Sequence, residues 1–407
     1  MRRAVIVIGC SYGDEGKGLA TDFMAGRLPE PCLNILINGG AQRGHTVELP
    51  DGRRHIFHHF GSAALRGSCS YADEDFILNP LLFLPEREEL QADFGLTPRL
   101  AAHPRCRLST PWDMMLGQII EENRGAARHG SCGCGIQETR LRFLRTGWAL
   151  HWGDLGTVTR DAFLTYCRRI AEEYVPARLA ELHMTANAEW QAILHGDGIA
   201  EHFWEDLQAM LGCVETREWE PLAQAFPSLI FEAGQGLALD ARNTADFPYL
   251  TPSRTTSLVS AQRIAALPGE TDTEILYVTR SYLTRHGAGP LPGECPREEI
   301  NPEIVDLTNQ PNPHQQSIRY AHFDEEAVLR RTRADAEATR ALLPHARTAV
   351  LVTHLNETGG ALDRGPSLTE FVTNFEHAYL SDSHWNAREA CVPGTPARAC
   401  AAGGNMV

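Results

Sequence analysis

What most constrains this chain is a short apolar run that stops on glycine and leads at once into a glycine-rich turn with one lysine. Arg3-Ala4-Val5-Ile6-Val7-Ile8-Gly9 reads as a buried parallel strand, and Lys17 to Met24 reads as helix. The turn between them contains Gly13-Asp14-Glu15-Gly16-Lys17-Gly18. Backbone N–H groups and a helix N-terminus then make an anion site whose natural ligand is phosphate. An ordinary NTPase loop needs Gly-x4-Gly-Lys followed by Ser or Thr, but Ser11 stands where the first glycine belongs and Gly18 follows Lys17. The Asp14 carboxylate is unwelcome beside phosphate unless a cation bridges it or it works as a base. A plain strand-to-helix turn with an acidic cap is the bland explanation. A second loop, Asn38-Gly39-Gly40-Ala41-Gln42-Arg43-Gly44-His45-Thr46, again following an apolar strand, argues against that. An acid and an imidazole on neighbouring loops point to proton traffic at a transferred phosphoryl group.

Further strand-like runs at Leu33–Ile37, Leu229–Phe231, Ile275–Val278 and Ala349–Val352 each lead into polar or glycine-rich segments, so several loops converge on one site. Residues 157–225 turn helical, through Phe163–Leu182 and Trp190–Leu211, as a helical insertion or flank. Asp324 to Leu343 is an amphipathic helix stopped by Pro344. The fold class expected is α/β, a large central mostly parallel sheet with surrounding helices in one domain over 1–391. A loose tail follows over 392–407. The 407 residues carry a net charge of −15, which provides no global positive field for nucleic acid or an anionic membrane. No apolar run approaches a membrane span of roughly 20 residues, and Met1-Arg2-Arg3 with its short strand is too brief for a secretory signal, so a cytoplasmic protein is expected. Eleven scattered cysteines suit reduced thiols.

The two loops in this order and spacing resemble adenylosuccinate synthetase, the purine nucleotide ligase that joins aspartate to IMP with GTP hydrolysis. The resemblance extends patchily over most of the chain, through Phe231-Glu232-Ala233-Gly234-Gln235-Gly236 with Asp240, Tyr249 to Thr256, and Thr284 to Pro292. It implies a P-loop-related fold in which Asp14 takes the N1 proton of a 6-oxopurine, so that its oxygen attacks the γ-phosphate. An amine then displaces the 6-phosphoryl group. It further implies that His45 stabilises or protonates the leaving oxygen and that Lys17 neutralises phosphate charge. Mg2+ would sit near Asp14 and Gly44, within a phosphate-binding set that includes Gly13, Glu15, Gly16, Gly18, Gln42 and Thr46. Gln235 and Thr251 match positions that hold the monophosphate. Cys132 lies in the loop Gly130-Ser131-Cys132-Gly133-Cys134-Gly135-Ile136 where a threonine is expected, and Arg145 would reach over from the partner subunit of a homodimer.

Two stretches depart from the family pattern. Thr353-His354-Leu355-Asn356 replaces a Lys-x-Asp pair that recognises guanine. A carboxylate only accepts, whereas the Asn356 amide donates and accepts, which makes ATP as reasonable a donor as GTP. The arginine-rich amino-acid loop is replaced by Asp306 to Tyr320, with Arg319 as its single arginine and the candidate for the amino-acid site. The implied activity is ligation of a purine monophosphate, IMP in the first place, to an amino acid, aspartate in the first place. Another monophosphate such as GMP or dGMP, or another amine, is the alternative. The viral ligases that make diaminopurine precursors replace the catalytic aspartate with a small residue, whereas Asp14 is kept here.

A GTPase-like switch fits less well, because the hydroxyl after Lys17 is missing and a switch has no need of paired Asp14 and His45. A silent nucleotide-binding relative would have no reason to retain Asp14, Lys17, Gly44 and His45. Cys132-x-Cys134, with Cys106 upstream, has the wrong spacing for a zinc knuckle and reads as small-residue packing. His55, His58 and His59 read as an irregular strand with a solvated face, His58 being a weak nucleotide-pocket candidate. Trp112, Trp148, Trp152 and Trp190 read as packing residues.

Overall fold

The computed structural model describes residues 1–148, 150–196, 198–306 and 317–392. The loop expected at Asp306–Tyr320 therefore lies outside the described residues over 307–316, as does the tail beyond 392. The strands of the main sheet are β1 (Arg2–Gly9), β2 (Cys32–Leu36), β3 (Cys69–Ala72), β4 (Leu100–Ala102), β5 (Val214–Thr216), β6 (Ser228–Gly236), β7 (Thr271–Arg280), β8 (Arg347–Thr353), β9 (His377–Leu380) and β10 (Arg388–Ala390). They form a ten-stranded sheet in the order β5-β4-β3-β2-β6-β1-β7-β8-β9-β10. Every neighbouring pair is parallel except β9 with β10.

The central strands are apolar throughout because both of their faces are covered. Along β1, Ala4, Ile6 and Ile8 point into one core while Val5 and Val7 point into the other. Ile275 and Tyr277 against Leu276 and Val278 repeat this in β7. Burying each such Val or Ile contributes ~1.5–3 kcal/mol. Helix α1 (Lys17–Ala25) packs Ala20 and Met24 on one face. The helix Glu325–Arg340, capped by Asp324 accepting from the Ala327 N–H at 3.0 Å, packs Val328 and Ala336 on the other. That helix begins where the sequence places it.

The stretch 157–225 differs from its purely helical expectation. Helices Arg160–Arg169, Val175–Glu181, Ala188–Leu194, Ile199–Leu211 and Trp219–Gln224 are present, but Val214–Thr216 is an edge strand of the main sheet, paired with β4. The stretch flanks a third core built on Phe163, Phe203 and Leu207. The histidine cluster also differs from expectation. Arg54–Phe57 is a regular strand, His55 and His59 are buried, and the Glu86 carboxylate accepts from the N–H groups of His58 (2.8 Å) and His59 (2.7 Å). Trp112 and Trp152 are buried, and Trp148 and Trp190 pack against the same core. Among the described residues no helix is long and apolar enough to cross a membrane.

Candidate active site

Parallel strands deliver their following loops to one edge, and ligands bind there outside the strand C-termini. The loop after β1, the turn after β2, the end of β7 and the segment after β8 meet at this edge around one cleft that is open to solvent. Its lining includes Gly13, Asp14, Gly16, Lys17, Gly18, Gly44, His45, Thr46, Arg280, Asp306, His354, Asn356 and His384. Nine of the residues singled out from sequence, the first eight and Asn356, therefore share a single cavity, Asp14 and His45 among them.

The loops hold their shape through backbone close approach. A Cβ on Gly18 would stand 2.4 Å from the Thr46 carbonyl oxygen, so glycine is what lets the two loops touch. Gly13 has φ +106°, and a Cβ there would stand 3.0 Å from Gln235 Cα. Gln235 itself has φ 83°, an uncommon conformation outside glycine. It lies where the β1–β6 register slips, from Val7↔Glu232 to Gly9↔Gly236, a bulge that turns the strand end toward the first loop.

Glu15 does not line the cleft. Its carboxylate accepts from the Ser11 and Gly13 N–H groups at 2.9 Å each and from Lys17 Nζ at 3.2 Å. The carboxylate thus shapes the loop from inside, through the loop's own amides. Lys17 is buried and also donates to the Gly13 carbonyl. Asp14 is met by Arg280, which sequence reasoning missed. Arg280 Nη2 donates to Asp14 Oδ2 at 2.5 Å and Nε to the Asp14 carbonyl at 2.6 Å. The Arg280 guanidinium is held above its ordinary range by Asp14, Tyr282, Asp306 and Glu357, against the opposing effect of burial. Its only signal was an arginine closing an apolar strand.

Glu232 and Arg43 stand within the sequence motifs, and the structure gives them a role. His45 Nδ1 lies 2.5 Å from Glu232 Oε1, Arg43 Nη2 donates to the same oxygen at 2.8 Å, and the Ser62 N–H donates to Oε2 at 3.1 Å. The Ser62 hydroxyl donates to Oε1 as well, and with four donors on it Glu232 is held well below the usual carboxylate range despite its burial. Arg43 Nη2 also lies 2.9 Å from His45 Nδ1, but the shorter contact, to an ionised carboxylate that only accepts, puts the proton on Nδ1 and leaves Nε2 its lone pair. Burial first, and then Arg43, push His45 down to about 3, with Glu232 opposing. The resting imidazole is neutral.

This has a measurable consequence. Between about pH 6.5 and 3 the unfolded chain protonates this imidazole and the folded chain does not, so the stability it lends is present above pH 6.5 and lost as pH falls. His59 and His354 shift in the same direction. Urea unfolding from pH 7.5 to 4 should show stability falling with pH, and His45→Asn should flatten that slope, by up to ~1.4 kcal/mol per pH unit. A slope identical in the variant would refute the assignment.

The remaining candidates lie elsewhere. Gln42 Oε1 is buried without a hydrogen-bond partner among the described residues. The Thr251 N–H donates to the Leu239 carbonyl at 3.1 Å. The loop carrying Cys132 is pinned by Glu121, which accepts from the Gly130 N–H at 2.8 Å, and its Gly130 abuts Gly287. Arg285 links that neighbourhood to the first loop, lying 4.8 Å over the Tyr12 ring while donating to the Tyr249 carbonyl at 2.8 Å. Arg145 is half-exposed on the surface and pairs with Glu181. Arg319 donates to Glu294 Oε1 at 2.8 Å and to the Gly287 and Gly289 carbonyls at 3.1 and 2.9 Å. Capturing a substrate carboxylate would therefore require Arg319 to release Glu294. The donor set in the cleft suits Mg2+, which takes hard oxygen ligands: the Asp14 carboxylate and Gly44 both line it.

A family model described as adenylosuccinate synthetase matches residues 6–312. Adenylosuccinate synthetases from Chromohalobacter salexigens and Teredinibacter turnerae are each 30% identical over 72% of this chain. The matches span 65% and 66% of those relatives' lengths. Two solved structures share the fold. A fully ligated adenylosuccinate synthetase from Plasmodium falciparum superposes with TM-score 0.64 at 17% identity, covering 87% of this chain and 77% of that one. Cyanophage S-2L succinoaminodeoxyadenylate synthetase, bound to dGMP and to dATP as an energy donor, superposes with TM-score 0.61 at 16% identity, covering 96% and 95%. With the model match extending over most of its length, the chain belongs to the adenylosuccinate synthetase family.

Proposed function

We propose that this protein activates the 6-oxo group of a purine monophosphate, IMP in the first place, by phosphoryl transfer from GTP or ATP, and joins it to an amino acid, aspartate in the first place. The observation that carries this reading is the gathering of Asp14, Lys17, His45 and Arg280 in one cleft. The Asp14 carboxylate accepts the N1 proton, and electron density moves to O6, which forms a bond to the γ-phosphorus as the bond to the β-phosphate oxygen breaks. Arg280 keeps Asp14 oriented. An anionic leaving phosphate beside His45 Nε2 favours protonation there, with Glu232 holding the opposite nitrogen. Lys17 offsets phosphate charge from inside its loop. Asp14 and Gly44 are the residues to hold Mg2+, which when bound neutralises charge on the transferring oxygens. The amine then attacks C6 and inorganic phosphate leaves.

The alternative, a synthetase using dGMP or GMP with an ATP-type donor, is favoured by one observation: Asn356 lines the cleft where guanine recognition calls for a carboxylate. The likeness in fold to the phage enzyme, over nearly the whole of both chains, is in keeping with it. A cytoplasmic homodimer in which Arg145 completes the neighbouring subunit's site belongs to the same proposal.

Phosphate release by the full chain with Mg2+ tests it, using IMP, GMP or dGMP with GTP or ATP, with and without aspartate. A ligase releases phosphate only when monophosphate and amine are both present. Release with neither would show a switch, and none in any combination would show a silent relative.

A further inference from the structure

We infer that Cys295, Glu299 and His322 form a Zn2+ site, separate from the Mg2+ chemistry of the cleft and independent of the proposed reaction. The three ligand atoms all lie within 4.8 Å of one another. Backbone pairing brings them together. The strand Glu294–Cys295 runs antiparallel to Arg319–Ala321 with Cys295 opposite Tyr320, and the His322 N–H donates to the Gly293 carbonyl at 3.1 Å. The single turn Arg297–Ile300 then returns Glu299 toward Cys295.

The imidazole is oriented as a ligand. His322 Nδ1 lies 2.6 Å from Asp363 Oδ2. A carboxylate accepts, so Nδ1 carries the proton and Nε2 presents a lone pair toward Cys295 and Glu299. Asp363 is itself fixed, accepting from the Phe323 N–H at 2.7 Å and donating its own N–H to the Ser281 carbonyl at 3.0 Å. A carboxylate behind the far nitrogen is the usual outer support of a zinc-bound histidine. Nε2 stands 3.7 Å from Glu299 Oε2, too far for a hydrogen bond between them. Two ligands at zinc distances of ~2.1 Å and tetrahedral angles stand about 3.4 Å apart, so this gap suits two donors to one ion.

The chemistry selects the metal. Sulfur, imidazole nitrogen and one carboxylate suit Zn2+ and not Mg2+ or Ca2+, which take oxygen. A thiolate, a carboxylate and a neutral imidazole balance a dication. The Glu299 side chain is 55% exposed, so the fourth position opens to water. The ion would brace the strand that carries Arg319 and Tyr320. Tyr320 stacks on Tyr282, which accepts from Arg280 Nη1 at 2.9 Å, so the site lies behind the cleft.

The test is Co2+ and Zn2+ binding to the chelator-stripped full chain. One equivalent of Zn2+ per chain is expected to survive desalting. Co2+ should give a sulfur-to-cobalt charge-transfer band that Zn2+ abolishes and excess Mg2+ does not. Cys295→Ser should remove the band, Cys391→Ser should keep it, and Asp363→Asn should weaken binding ~10–100-fold. Should Cys295→Ser fail to fold, the exposed Glu299→Gln decides, with weakened Co2+ affinity expected at unchanged circular dichroism. The inference is overturned by wild-type protein without the band, by a band that persists in Cys295→Ser, or by undiminished affinity in Glu299→Gln.

Discussion

Asp14→Asn should lower the rate of monophosphate-dependent phosphate release ~10²–10⁴-fold, the range over which a positioned general base contributes. The substitution is nearly isosteric and isolates the proton acceptor from the architecture. The Asp14 carbonyl still accepts from Arg280 Nε, and an amide oxygen can still receive Nη2. The loop's internal brace runs through Glu15 and Lys17 and is untouched. Loss should therefore appear in kcat, with the KM values for both nucleotides within a few-fold of wild type and an unchanged unfolding midpoint. A variant that turns over within threefold of wild type would remove Asp14 from the chemistry, and the proposed activation of the purine oxygen with it.

Glu232→Gln should destabilise the fold by roughly 3–5 kcal/mol, as expected when one partner of a buried ion pair is removed. Arg43 and Glu232 have fully buried side chains, and Arg43 Nε and Nη1 have no hydrogen-bond partner among the described residues. Without Glu232 the guanidinium is a buried cation with no carboxylate opposite, and His45 loses its anchor at Nδ1. Urea unfolding reads the first effect and kcat the second. Arg43→Met combined with Glu232→Gln should restore part of the stability, because the uncompensated charge is gone, but none of the rate. If the single variant unfolds at the wild-type midpoint, the pair is not what holds His45 in place.

Long, wholly buried strands were legible in the sequence. The runs in β1, β7 and β8 stand out because both faces of a central parallel strand are apolar. Cys32–Leu36 was placed within one residue. By contrast Cys69–Ala72, Leu100–Ala102 and Val214–Thr216 are too short for periodicity to rise above the surrounding helical pattern, and the last was absorbed into a helical flank. In the site, the two loops announced themselves through glycine spacing, since a close backbone approach leaves a mark in sequence. The ion pairs that tune them left none. His45 meets Glu232 from 187 positions away, and Asp14 meets Arg280 from 266 positions away. Local pattern carries no information about such partners. The direction in which the Glu15 side chain points is hidden for a related reason: a carboxylate in a phosphate-type loop looks the same whether it faces the ligand or the loop's own amides.

The contact between Gly18 and the Thr46 carbonyl explains why the hydroxyl of an ordinary NTPase loop is missing here. A serine or threonine side chain after Lys17 would wedge the second loop outward and carry the imidazole away from the carboxylate. This architecture has exchanged a metal-holding alcohol for a seam between two turns, so that the loop bearing the carboxylate and the loop bearing the imidazole abut through their backbones.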